Sequence, residues 1–296
     1  MIQNCLISNA ALVRDVTQLA DYVIATTPFR LDTGFEMEFS DVSGKFMCVN
    51  SSCDDRDYTN IFYSEEQIKT MYSTFDPVYY RGDVKGLLRY LGIDSDIKYQ
   101  TSNTDWLLSA GSIRTLISTL NQYASVQGGG CPFFSIDLKG RVRCVDLKYE
   151  YDNASSDSLS NHLPYRLQSD LTSTDWMHVT PTVMNIVEQS LDDKPVIETV
   201  NNGDIGLHAR TVMCDNTGFS LDNLKVRVSN EYNQMYYRSR VGVFSDTVNM
   251  CCRLGEVINI TDQIFVVDKV YMPIALADGR IEAASVRAVA PYVNKY

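Results

Sequence analysis

Histidine is nearly absent from this chain: His162, His178 and His208 are the three in 296 residues, and none stands in an H-x3-5-H pair or an H-E-x-x-H motif. A tetrahedral zinc site drawn from paired ligands therefore has no sequence basis. Adjacent Cys251 and Cys252 would point to opposite faces of a strand, so they cannot chelate together from it. Basic residues are also short, 26 Lys and Arg against 37 Asp and Glu for a net charge of −11, which argues against a protein that grips nucleic acid by neutralising phosphates. No apolar run reaches the ~18 residues of a membrane helix, so no membrane insertion is expected. The opening MIQNCLISNAALVRDV has neither a basic n-region nor a long apolar stretch, so it is not read as a secretory signal and a cytosolic start is expected.

Catalytic signatures are missing as well. Gly128-Gly129-Gly130 follows a helix pattern instead of leading from a strand into one, so it cannot set amides around a phosphate as a Walker loop does. There is no G-x-S-x-G elbow, and no local pair of carboxylates stands out as glycosidase acid and nucleophile. Cys131 follows the glycines, but no helix N-terminus begins there and no base adjoins it to lower its pKa. No catalytic residue, cofactor or metal ligand is assigned, and the protein is expected not to be an enzyme. The eight cysteines read as small apolar core residues. If a particle assembled in a cell oxidises after release, Cys48 and Cys53 (C-x4-C) are the first pair to suspect of forming a disulfide.

What is present is a globular composition, 45% hydrophobic and 21% charged, long enough for about two domains at roughly 100–200 residues each. Its 18 Tyr, 11 Phe and 2 Trp are read as core and interface packing. The acidity is uneven: residues 201–296 hold 10 acidic and 10 basic residues, whereas residues 1–200 hold 27 and 16.

Phe35, Met37 and Phe39 alternate with Glu36 and Glu38, the pattern of a half-buried strand, and Asp41–Gly44 turns the chain into a hairpin partner at 45–49. Residues 53–58 read as a polar loop. Ser64-Glu-Glu-Gln67 is a capping box, followed by Ile68, Met71, Tyr72 and Phe75 at helical spacing, with Pro77 ending the segment. A second short helix runs from Asp83 to Leu91 and stops at Gly92. Over 112–124 the residues Ile113, Leu116, Ile117, Leu120 and Tyr123 make one helical stripe behind a Ser112 cap. Phe133–Leu147 reads as a β-hairpin turning at Gly140, and the polar run 152–162 as a linker. Thr180-Pro181 predicts a helix start, with Val183, Ile186, Val187 and Leu191 on its apolar face. Strands are expected at 207–214, 224–229, 241–250, 256–260, 263–275 and 280–289, the last two joined by a two-residue turn at Asp278-Gly279. Strand-rich ends around a mixed middle give an α+β, mainly β, chain with a sandwich or barrel in its last third.

Residues 103–147, with the helix stripe followed by Phe-Ser-Ile-Asp, a Gly140 turn and a strand ending Asp-Leu, resemble a helix-then-hairpin module of the baseplate hub proteins of contractile-tailed bacteriophages, the tail-tube-like and VgrG-like hubs. The runs 254–260 and 264–270 are similar to the closing barrel of those hubs, and Phe35–Phe39 with the turn at Gly44 to their opening. The resemblance implies two tail-tube-like antiparallel β-barrel or sandwich domains, 1–98 and 166–296, with a small α/β module at 99–165 between them. It implies a homotrimeric ring in the virion baseplate that adapts a threefold central spike to a sixfold tail tube. The partners would be the spike, the tube protein, wedge or tape-measure proteins, and DNA passing without specific binding. The competing expectations are a receptor- or glycan-binding β-sandwich of a phage fibre and a hydrolase with a dispersed site.

Overall fold

The computed structural model describes residues 7–39, 41–54, 56–154, 166–172, 183–189, 195–201, 209–214, 221–245, 253–260, 263–275 and 284–291. Among the described residues strand well exceeds helix and most pairing is antiparallel, so the chain is α+β and mainly β, as the sequence pattern indicates.

The first part of the chain builds five strands, β1 (Asn9–Asp15), β2 (Tyr22–Thr27), β3 (Glu36–Phe39), β4 (Val42–Asp54) and β5 (Asp57–Ser64). The alternation at 35–39 works as read: Met37 and Phe39 are buried and both glutamates exposed. Phe39 stacks edge-on against Phe46 and Phe62, with ring centroids 5.4 and 5.5 Å away. The polar stretch expected as a loop is strand on both sides of its turn: Cys53 and Asp54 end β4 opposite Tyr58 and Asp57 at the start of β5.

The middle holds α1 (Glu65–Tyr72), β6 (Thr74–Phe75), β7 (Val78–Gly82), α2 (Val84–Tyr90), β8 (Ser95–Asp96), β9 (Thr104–Leu108), β10 (Gly111–Ser112), α3 (Ile113–Tyr123), β11 (Pro132–Ile136), β12 (Val142–Asp146) and α4 (Leu147–Asp152). The capping box forms in full: Ser64 Oγ accepts from the Gln67 amide at 3.1 Å, and Gln67 Oε1 accepts from the Ser64 amide at 2.8 Å. Gln67 is fully buried because its Nε2 also donates to the Asp21 carbonyl at 2.8 Å. The helix ends at Ser73, four residues before Pro77, and Phe75 joins a two-stranded pairing with β10 instead of extending the helical face. Gly92 takes φ +71°, the left-handed end that the α2 pattern requires.

All five stripe residues of α3 are buried. They share one core with Phe134, Ile136 and Val142 of the β11–β12 hairpin, so helix and hairpin make the α/β module that the sequence suggests. The same core takes in Ala20, Met71, Val84, Leu87 and Leu88.

The remaining elements are β13 (Arg166–Thr172), β14 (Val183–Gln189), β15 (Pro195–Asn201), β16 (Ala209–Cys214), α5 (Leu221–Tyr236), β17 (Arg240–Ser245), β18 (Val257–Ile260), β19 (Gln263–Pro273) and β20 (Ser285–Ala290). Two sequence expectations fail here. Residues 183–189 are a strand, not a helix, paired antiparallel to β15 and parallel to β16. Val183, Ile186 and Val187 are β-branched and favour that outcome once partners exist on both sides. Residues 224–229 are the middle of a helix, not a strand. The short alternation Leu-Lys-Val-Arg-Val-Ser hides a longer spacing of three and four through Leu221, Leu224, Val228, Tyr232 and Met235. The linker from 155 on, Thr180-Pro181 and the Asp278-Gly279 turn lie outside the described residues.

One ten-stranded antiparallel sheet orders β13-β17-β20-β19-β1-β2-β5-β4-β3, with β18 added on β19. Its centre is the β1–β19 pair, in which Leu12 faces Met272 and Val13 faces Tyr271. The two ends of the chain thus meet in a single sheet. β1 is buried along Ala10, Ala11, Leu12 and Val13, so both of its faces are covered; Ala10 and Leu12 belong to one apolar cluster and Val16, just past the strand, to another.

Candidate functional site

Charged residues inside apolar strands mark the places where this fold does more than pack. β19 reads Ile-Phe-Val-Val-Asp-Lys-Val, and its Asp268 is fully buried. Arg287 of β20 reaches it with Nε at 2.8 Å and Nη2 at 2.9 Å, and Arg238, just past α5, donates at 3.3 Å. Arg287 also approaches Asp15 at the end of β1 at 3.4 Å, where Asp15 accepts from the Thr17 amide and hydroxyl at 2.9 and 2.7 Å. The cluster clamps β1, β19 and β20 together. Burial pushes the Asp268 carboxyl above the ordinary range, with the arginines opposing that shift.

A second clamp joins β12 to the loop between β1 and β2. Arg143 grips buried Asp21 with both terminal nitrogens, one at 2.9 Å, while its Nε donates to Ser135 Oγ at 3.0 Å. Burial again pushes Asp21 up, and Arg143 is the main opposing influence.

Beside this clamp opens a cleft of about 550 Å³, walled by β1, the β3–β4 turn, the β11–β12 hairpin and the segment before β18. Six cations line it, Arg14, Lys98, Lys139, Arg141, Arg143 and Arg253, against three carboxylates, Asp21, Asp96 and Asp137. Arg141 is held by Asp137, its Nε and Nη2 at 2.9 and 2.7 Å, and Lys98 by Glu150. A chain of net charge −11 thus concentrates positive charge in one concavity, where low-dielectric walls focus the field.

Asp146, fully buried, caps α4 and accepts from the Tyr149 amide at 2.7 Å and from the Cys131 amide at 3.1 and 3.0 Å. Cys131 itself is completely buried among Val16, Phe133, Val145 and Leu147, and burial drives its thiol well above the ordinary value. It is a core residue and not an activated nucleophile. The three histidines lie outside the described residues. Among the described residues no group of three His, Cys, Asp or Glu could hold a metal, and no helix is long and apolar enough to cross a membrane.

Cys48 is buried and Cys53 exposed, both on β4. Five strand positions span roughly 16 Å at ~3.3 Å each, whereas a disulfide needs Cα atoms within about 7 Å. Cys48 faces Phe62 and Cys53 faces Tyr58, so β4 holds the suspected pair apart.

The clamp residues were legible only as anomalies. Asp268 interrupts an apolar run, and Arg143 and Asp146 interrupt the hairpin strand. Such a residue inside a buried strand signals a partner, but the sequence does not name it.

No protein-family model and no curated protein match this chain. Its fold is similar to that of solved structures along nearly the whole chain. The tail protein from Neisseria meningitidis MC58 aligns with TM-score 0.56 and 10% identity over 96% of this chain and 92% of that one. Prophage tail protein gp18 from Listeria monocytogenes EGD-e aligns with TM-score 0.54 and 10% identity over 95% and 87%. The 43 kDa tail protein of prophage MuSo2 from Shewanella oneidensis aligns with TM-score 0.52 and 12% identity over 96% and 94%.

Proposed function

We propose that the chain is a structural component of a phage tail, and within the tail a baseplate hub. The observation that carries this reading is the likeness of fold to three proteins described as tail proteins, extending over 95–96% of this chain. A fold shared along nearly the whole chain supports a shared architectural role more than a likeness confined to one domain. The residues support a role without catalysis: the charged side chains within the core are spent on clamps between strands, and the one buried thiol in question is inert.

In this reading three copies form a ring in the virion baseplate. Its two strand-rich ends present a pseudo-sixfold face to the tail tube and the opposite face to a central spike, with wedge or tape-measure proteins alongside. Residues 1–98 and 166–296 then hold tube-like units that superpose despite unrelated sequences. DNA passes through the ring without specific binding, along a wall whose carboxylates come mainly from residues 1–200, repelling phosphate within about a Debye length, ~8 Å at physiological salt.

Mass photometry and negative-stain microscopy of the purified protein test this. Threefold rings with an open channel are expected, held by interfaces beyond roughly 2,000 Å². A protein that stays monomeric at micromolar concentration would count against the hub, and a channel wall lined by Arg and Lys would remove the conduit.

A further inference from the structure

The cleft beside Arg143 holds more positive charge than its own carboxylates use. Arg143 is committed to Asp21, Arg141 to Asp137 and Lys98 to Glu150. Two cations remain, and a third, Arg14, is only loosely held. Lys139, at the hairpin tip, and Arg253, before β18, are exposed and have no side-chain ion pair among the described residues. Arg14 makes a looser ion pair with Asp21, Nε to Oδ2 at 3.6 Å, a distance beyond hydrogen-bond range, so its buried Nε has no hydrogen-bond acceptor. A buried N–H left unsatisfied is costly, so the cleft contains both a donor in need of an oxygen and surplus charge at its rim.

We propose that this cleft is a docking site for an acidic polypeptide segment of a partner protein, with Asp or Glu carboxylates meeting Arg14, Lys139 and Arg253. The chemistry selects this occupant. Guanidinium groups match planar carboxylates in two-point geometry. The cleft, about 550 Å³, is far larger than one free oxyanion but of the size that takes an extended segment of a few side chains. Leu138 and Leu254 line it beside the cations, offering apolar wall to a peptide whose acidic residues are interspersed with apolar ones. A nucleic-acid backbone fits worse. Its continuous charge would face Asp96 and Asp137 on the cleft wall, and the net charge of −11 repels it on approach. The inference needs only the cleft and stands apart from the hub reading, since a monomeric protein would carry the same site.

The test is fluorescence anisotropy of the full-length protein with a labelled hexaglutamate peptide. The unlabelled competitors are inorganic phosphate and an oligothymidylate of matched charge. The expected result is saturable binding that weakens as sodium chloride is raised. Binding should fall at least tenfold in the Lys139→Glu/Arg253→Glu variant, whose substitutions sit on exposed side chains and leave both clamps intact. Thermal unfolding of that variant should match the parent, which separates lost docking from lost fold. An Arg14→Gln variant should weaken the peptide further. Absence of saturable binding by the parent protein overturns the proposal, as does equal binding by the double variant. Displacement by millimolar phosphate would reassign the cleft to a free anion, and tighter binding of the oligothymidylate would reassign it to nucleic acid; either overturns it.

Discussion

Asn230 of α5 donates its side-chain amide to the Ala124 carbonyl at 2.8 Å, at the C-terminal end of α3 and 106 residues away in sequence. The same nitrogen reaches the Gln122 carbonyl at 3.1 Å. Asn233 donates to the Gly130 carbonyl at 2.8 Å and Gln234 to the Asn121 carbonyl at 3.3 Å. A helix end leaves its last carbonyls without intrahelical donors, and here a second helix supplies them from a row of amides. Arg227 adds a hydrogen bond of 2.8 Å to Tyr123 and lies over its ring. Helix α5 is thereby fastened to the middle module by polar contacts as much as by apolar ones.

Asn230→Ala should therefore cost about 2–3 kcal/mol, the loss of buried hydrogen bonds together with carbonyls left without donors. Urea unfolding followed by circular dichroism checks it. Asn230→Asp should cost more, since a carboxylate would face two carbonyl oxygens. An Ala variant within a few tenths of the parent would mean that water replaces the amide freely.

Leu120 is fully buried in the α3 stripe. Leu120→Ala should lower stability by roughly 2–5 kcal/mol, combining lost burial with the cavity left behind. An unfolding titration that moves by only a few tenths would place that face of the helix in solvent.

Gly130 has no positive φ to explain it; space does. A Cβ there would lie 2.0 Å from Asp146 Oδ2 and 3.1 Å from Val126 Cβ. Gly130→Ala must displace the carboxylate that caps α4 and holds the Cys131 amide, and should cost about 1–3 kcal/mol as overpacking. Adding Asp146→Ala should recover part of the steric cost, which a double-mutant cycle measures. Strict additivity of the two changes would show that the wedge is absent.

Burial raises the Asp146 carboxyl above its ordinary value, against the amides of Tyr149 and Cys131, which favour the charged form. The folded state then holds this proton more tightly than the unfolded chain does. The contribution to stability is fully present below the unfolded pKa and is lost as pH rises through the raised folded value. Asp146→Asn keeps an acceptor oxygen and removes the titration. Relative to that variant, the parent should be most stable in acid and lose ground as pH rises above the ordinary carboxylate value of about 4. Urea midpoints of both proteins across that range check the sign. A parent that gains on the Asn variant as pH rises would show that the two amides outweigh burial.

Local elements whose signals are complete within a few residues were legible in the chain before any fold was known. The Ser64–Gln67 capping box, the α3 stripe, the Phe35–Phe39 alternation and the left-handed Gly92 all depend on backbone geometry and neighbours three or four positions away, so they could be read directly. The mainly β character followed from the same patterns. Long-range partners settled the rest. Residues 183–189 became a strand because β15 and β16 flank them, and 221–236 became a helix whose amides had carbonyls of α3 to cap. The two ends of the chain closed into one sheet through β1 and β19, and charge gathered in one cleft from four separate segments. Strand pairing, burial of a carboxylate and the summing of charge in a concavity are properties of residues brought together from far apart, and no local pattern records who the neighbour will be.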